Sequence, residues 1–318
     1  VEGGGESSVV GGWHESGSHS SMMRMILSRR TVALVACTTA VLGGCSSENG
    51  TTAFTPVPIV ATTSIWADIA SNVTCGELVP ALIPAGADPH TFEPSLRDRE
   101  LIDGPAVIIA NGGGLEGPVG VLLDAVDDPP LTTVFEMTNG VAMVDDDPHI
   151  WQDPTIIAAA IDSIKAGAIA VDRDPDEIAR CTADYRSELL ALDAEITELL
   201  APIASADRLM VTSHDSLAYF ADRYDLEIVG TVIPSTNTLA ETNAADLAAL
   251  ADTITQLDVR VVFTEQLESS NDANRLAERL GVRVVPLVTD SVTDDPATDT
   301  YVEMMRFNAA AIAEALAP

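Results

Sequence analysis

Positive charge is what this 318-residue chain has least of. Sixteen lysines and arginines face 49 aspartates and glutamates, a formal net charge of −33, and Lys165 is its one lysine. Nucleic acid is therefore excluded as a partner, because no basic stripe exists to displace phosphate counterions. A cationic ligand fits better, since a negative field raises its local concentration. Solubility alone would also account for the charge. Aromatics are scarce, at 4% of residues, so the core must be built from Ala, Val, Leu and Ile. The 47% hydrophobic content is that of an ordinary globular protein, and the length allows two domains. No His-Glu-x-x-His occurs. Cysteines number four and histidines five.

The apolar run 31–44 follows Arg29 and Arg30 and ends at Cys45. It is too short to span a membrane, and it reads as an export signal. Its end, "LGGC", resembles a bacterial lipobox. That resemblance makes Cys45 a lipidated first residue and places the protein on the outer face of the cytoplasmic membrane. A simple signal peptide is the alternative. "SRRTVA" (28–33) is weakly similar to a twin-arginine signal. Residues 1–45 are thus read as extension plus signal peptide, and 46–56 as a flexible tether. Cys75 and Cys181 remain beyond it. An even count in an exported chain favours a disulfide; two buried free thiols are the alternative.

From residue 57 onward, strand and helix patterns alternate. Strands are expected at 57–64, 77–84, 106–112 and 131–138, with helices at 65–73, 94–104, 115–126 and 153–172. A stretch with helical spacing and no internal glycine then runs from Pro175 to about 204, some 45 Å of helix. Strands resume at 208–213, 226–233, 259–265 and 282–289, with helices at 214–224, 243–257, 272–280 and 299–316. The expected architecture is α/β. Two lobes, 57–172 and 206–318, each carry a mainly parallel sheet flanked by helices, and one long helix (173–205) joins them.

His14 and His19 fall in the extension. The other three histidines sit in strand-end loops. His90 and His149 each follow Asp-Pro, in "ADPHTFEP" and "DDPHIWQDP", and His214 stands in "VTSHDSLAYF". Ligands bind outside the carboxyl ends of parallel strands, and the same rule points to Asp290 after the last strand. Three imidazoles and a carboxylate around one point suit a borderline divalent metal such as zinc. Glu265 ends a neighbouring strand and could bond a ligand imidazole's free N–H, or replace Asp290 as fourth ligand. Trp66 and Trp151 flank the region as packing residues.

These motifs carry a resemblance. "GADPHTFEPS", "DPHIWQDP", "VTSHDSLAYF", "VVFTEQ" and "VTDSV" are together similar to the cluster A-I lipoproteins, the solute-binding components of zinc and manganese ABC transporters. The resemblance covers roughly 57–318. It implies metal ligands at His90, His149, His214 and Asp290, two lobes bridged by a rigid helix, and a membrane permease as partner. It implies a binding protein with no chemistry, holding one divalent metal per chain as a monomer. Within the family a carboxylate in place of the third histidine goes with manganese, so His214 makes zinc the first expectation. Manganese is second, because Asp290 can bind through both oxygens. The histidine-rich loop of zinc-specific members is also missing: "NGVAMVDDDPH" offers Asp145, Asp146 and Asp147, expected as a solvated acidic loop. "PSTNTLAETNAAD" matches the family loosely. A zinc hydrolase would need three ligands, an open position and a base. An adhesin is the third alternative.

Overall fold

Short β-branched runs form the strands of the computed structural model, which describes residues 58–124, 132–266 and 271–317. The extension, the apolar run, Cys45 and the tether lie outside the described residues. In the first lobe β1 (Ile59–Ala61), β2 (Val107–Ala110) and β3 (Thr133–Glu136) pair in parallel in that order. β1 and β2 are buried along their whole length, as strands covered on both faces must be, while β3 is an exposed edge. The covering helices are α1 (Ser64–Val73), α2 (Leu96–Asp103), α3 (Pro118–Asp124) and α4 (Pro154–Ala170).

The strand expected over 77–84 is not one. Only Ala81 bridges to β1, at Ala61. Pro80 has no N–H to give a ladder, and Pro84 closes the stretch. The Pro80 carbonyl still accepts from Ala61, at 3.0 Å, and Leu82 and Ile83 donate back to Ala61 and Thr62 at 2.9 and 2.8 Å. β1 is therefore flanked on both sides, and the chain leaves this edge directly into the loop bearing His90.

The second lobe holds β4 (Leu209–Thr212), β5 (Glu227–Thr231), β6 (Val261–Glu265) and β7 (Arg283–Leu287), all parallel in the order β5-β4-β6-β7. Around them lie α6 (Ala218–Tyr224), α7 (Ala244–Gln256), α8 (Asn271–Leu280) and α9 (Tyr301–Leu316). The strand order turns about β4, so β4 and β6 frame a switch point at their carboxyl ends. α6 begins four residues later than its apolar spacing suggests. Residues 214–217 stay in a turn because their polar groups are used elsewhere: Asp215 N–H donates to Ser235 O, and Ser216 Oγ to Glu265 Oε1, both at 3.0 Å.

The long helix is α5 (Pro175–Leu200), 26 residues and about 39 Å long. Asp174 caps it, Oδ1 accepting from the N–H groups of Asp176 and Glu177. It stops at Leu200, short of the expected 204, because Pro202 has no N–H to carry the ladder on. Its buried stripe of Ile178, Tyr185, Leu189, Leu192, Ile196 and Leu200 packs on α1 and α4 of the first lobe and on α6 and α9 of the second. One apolar core thus runs from Ile65 and Ile109 through Leu189 to Phe220 and Leu287. Cys75, just past the end of α1, is disulfide-bonded to Cys181 on α5, with the Cα atoms 5.4 Å apart at a sequence separation of 106. Closing so long a loop is worth up to roughly 4–5 kcal/mol in the chain-entropy model. Among the described residues no helix is long and apolar enough to cross a membrane.

Asp68 on α1 ties the lobes from behind, accepting the Tyr301 N–H at the start of α9 at 2.9 Å. Burial raises its pKa from 3.8 to about 6; the Tyr301 N–H opposes this, and Asp299 and Glu188 add to it. The fold therefore favours the protonated acid. That stabilisation is full below pH 3.8 and is lost as pH rises through about 6. Asp68→Asn keeps the acceptor and removes the charge. It should raise the melting temperature at pH 7.5, by at most about 3 kcal/mol of stability, with the gain vanishing near pH 4. Equal gains at both pH values in thermal melts would contradict this account.

Candidate metal centre between the lobes

The repeated Asp-Pro-His motif has one local job in both places. In each, the aspartate Oδ1 accepts the N–H of the histidine two residues on, at 2.8 Å for Asp88–His90 and 2.9 Å for Asp147–His149. This Asx-type turn, with proline fixing the middle residue, aims the histidine out of the loop. Beyond that the motifs diverge. Asp147 Oδ1 also lies 2.6 Å from His149 Nδ1. Asp88 Oδ2 instead accepts from Thr91 Oγ1, at 3.1 Å, and from Thr238 Oγ1 of the second lobe, at 2.9 Å.

His214 follows β4, its carbonyl accepting from Thr212 Oγ1 at 2.8 Å. Its Nδ1 lies 2.6 Å from Oε1 of Glu265, the last residue of β6. Burial would raise the Glu265 carboxyl, but His214 and the hydroxyls of Thr289 and Ser216 hold it below the ordinary value. The switch-point strands thus deliver an imidazole and the carboxylate that orients it. Asp290 follows β7. Its neighbour Ser291 is within 2.9 Å of Ser64 Oγ and accepts the Gly86 N–H at 2.9 Å, which ties this turn to the first lobe.

His90, His149, His214 and Asp290 converge at the seam. One donor atom from each lies within 4.8 Å of all the others. All four are buried, at most 3% exposed. His90 Nε2 is 3.3 Å from His149 Nε2 and 3.8 Å from Asp290 Oδ2, and His214 Nε2 is 3.6 Å from the same oxygen. Burial, with His149 and His214 beside it, pushes the His90 pKa down to about 3, so its ring is a neutral donor. Asp147 and Glu265 hold the Nδ1 atoms of two rings and leave Nε2 facing the centre, the arrangement that fixes tautomer and orientation in metal sites. Glu265 stands behind His214 and is not one of the four.

Asp147 corrects the sequence reading. Asp145 and Asp146 are exposed, as a solvated loop requires, but Asp147 is buried against His149. The repeated Asp-Pro-His was the signal, since an aspartate two residues before a site histidine can reach both its N–H and its ring. Asn111 also went unread. It accepts from Trp66 Nε1 at 2.8 Å and donates to Pro148 O, next to His149, at 2.9 Å. Nothing in its local sequence distinguishes it, and the same holds for Ser291.

A profile described as "Zinc-uptake complex component A periplasmic" matches residues 59–315. The manganese-binding lipoprotein MntA of Bacillus subtilis is 27% identical over 260 residues, 78% of this chain and 83% of that protein. The manganese ABC transporter substrate-binding lipoprotein PsaA of Streptococcus anginosus is 26% identical over 309 residues, 92% of this chain and 97% of that one. In three dimensions the chain is similar to the periplasmic zinc binding protein TroA from Treponema pallidum. The TM-score is 0.76 at 23% identity, covering 82% of this chain and 99% of TroA. That likeness shows the class of fold, two α/β lobes. The chain belongs to the zinc-uptake complex component A family, solute-binding proteins of metal ABC transporters and not enzymes.

The contact at His149 Nδ1 makes a direct prediction. Asp147→Asn replaces a charged acceptor with a neutral one and should weaken a bound divalent cation about 10–100-fold. Calorimetric titration with zinc checks this, and unchanged affinity would remove Asp147 from the centre.

Proposed function

We propose that this chain captures one divalent metal ion on His90, His149, His214 and Asp290 and delivers it to an ABC-transporter permease. The convergence of those four buried donors supports the reading most. Four protein ligands close a tetrahedral sphere and leave no position for an activated water. Zinc is the first choice. Three imidazole nitrogens suit it, and the 3.3 Å between the His90 and His149 nitrogens is close to a tetrahedral zinc site's edge, about 3.4 Å for bonds of about 2.0–2.1 Å.

Manganese is the second reading, and one observation favours it. Both Asp290 oxygens face the rings, Oδ1 at 3.9 Å from His149 Nε2 and Oδ2 at 3.6 Å from His214 Nε2. A bidentate carboxylate adds oxygen and raises the coordination number, as manganese prefers. MntA and PsaA are named for manganese, and TroA for zinc. Relatives named lipoproteins also support attachment to the outer face of the cytoplasmic membrane through a lipid on Cys45.

Elemental analysis of protein purified without added metal should find one zinc per chain, and His90→Ala should abolish its retention while the fold persists. His214→Glu should move the competition between the two ions toward manganese. Wild-type protein that holds manganese against equimolar zinc would make manganese the cargo. For the anchor, Cys45→Ala should release the protein from the membrane fraction; unaltered attachment would mean a different tether.

A further inference from the structure

One side chain touches one of the four donors and the backbone next to another. Trp151 lies two residues past His149, in the single 3-10 turn Ile150–Gln152 that precedes α4, and is buried. Its ring meets the His149 ring edge-on, with centroids 5.2 Å apart and planes at 69°. Its indole N–H donates to the carbonyl of Thr289, the residue before Asp290, at 2.8 Å. Gln152 Nε2 adds a second bond to that carbonyl at 3.2 Å. Tyr301 Oη donates to Trp151 O at 2.7 Å, fixing the turn from the second lobe. Val288 is held in turn by Asn308, which donates to its carbonyl and accepts its N–H, at 2.6 and 2.9 Å.

The backbone leading into Asp290 is therefore gripped on consecutive residues by opposite lobes. Residue 288 is bonded within the second lobe, and residue 289 to the strap that carries His149. The spacing between these two donors is set by protein hydrogen bonds and not by the cation alone. That matters because divalent ions are told apart by site geometry more than by raw affinity. A frame that holds donors at fixed separations penalises an ion of the wrong radius, while a slack frame closes around either.

We propose that Trp151 is a positioning residue that fixes the His149–Asp290 spacing, and thereby the discrimination between zinc and manganese. This deepens the metal-capture reading and rests on it. A merely space-filling Trp151 would contribute through ring volume; the proposal assigns the effect to its N–H. Trp151→Phe keeps an aromatic edge against His149 and deletes that donor. Leu189→Ala on α5 serves as the control, a core cavity remote from the donors.

The experiment uses the full chain, with zinc–manganese competition dialysis and the visible spectrum of the cobalt(II)-loaded protein. In Trp151→Phe the preference between the two ions should fall toward unity about tenfold, and the cobalt bands should shift and weaken as the polyhedron loosens. Leu189→Ala should melt at lower temperature with preference and spectrum unchanged. Wild-type preference and spectrum in Trp151→Phe would overturn the proposal, as would equal changes in Leu189→Ala. If Trp151→Phe does not fold, Gln152→Met is measured the same way, and wild-type behaviour there also overturns it. A wild-type chain that takes up no cobalt overturns the metal reading and the clamp together, whereas normal uptake with an unaltered variant overturns the clamp alone.

Discussion

Burying carboxylates at a seam between two lobes is the constraint around which the molecule is arranged. Asp290, Asp147 and Glu265 all lie in the interior within reach of three imidazoles. An ionised carboxylate taken out of water costs several kcal/mol unless it is paired and hydrogen-bonded. Two of the three lie 2.6 Å from a ring Nδ1, which turns the Nε2 of those rings toward the centre. The third, Asp290, faces the same nitrogens, Oδ1 at 3.9 Å from His149 Nε2 and Oδ2 at 3.6 Å from His214 Nε2. Such a set of groups suits a divalent cation, and the family to which the chain belongs handles such cations.

The fold exists to bring those groups together from distant parts of the chain. Each site residue leaves the carboxyl end of its sheet edge or strand, or precedes a capped helix, so short stiff elements set the direction of the loops. α5 then fixes one lobe against the other along a shared apolar core. Drawing the lobes apart would expose Phe220, Leu287 and Tyr301, at about 25 cal/mol for each Å² of apolar surface. The seam is therefore a rigid frame, and the polar contacts across it, from Asp88 to Thr238 and from Trp151 to Thr289, act within that frame.

Much of this was legible along the chain. Apolar β-branched runs flanked by capped amphipathic stretches dictate parallel strands under helices, because no other arrangement covers both faces. The long uninterrupted helical spacing after Pro175 identified α5, and its true end follows from Pro202. Where local pattern and structure part, a hydrogen-bonding group that is missing or used elsewhere is responsible. Pro80 cannot donate, so the stretch after Cys75 runs beside β1 without becoming a strand. Asp215 and Ser216 spend their hydrogen bonds on Ser235 and Glu265, so α6 starts late.

By itself the sequence determined most of the elements, their order, and the three strand-end histidines. Those properties depend on residues near one another in the chain, where periodicity and Asp-Pro-His turns act. Only the tertiary structure decided which groups support the donors: Asp147 behind His149, Glu265 behind His214, Asn111 on Pro148, and Trp151 on Thr289. Apart from Asp147, each of these contacts joins residues far apart in sequence. Their spacing is set by how two sheets pack against one helix, and no local pattern encodes it.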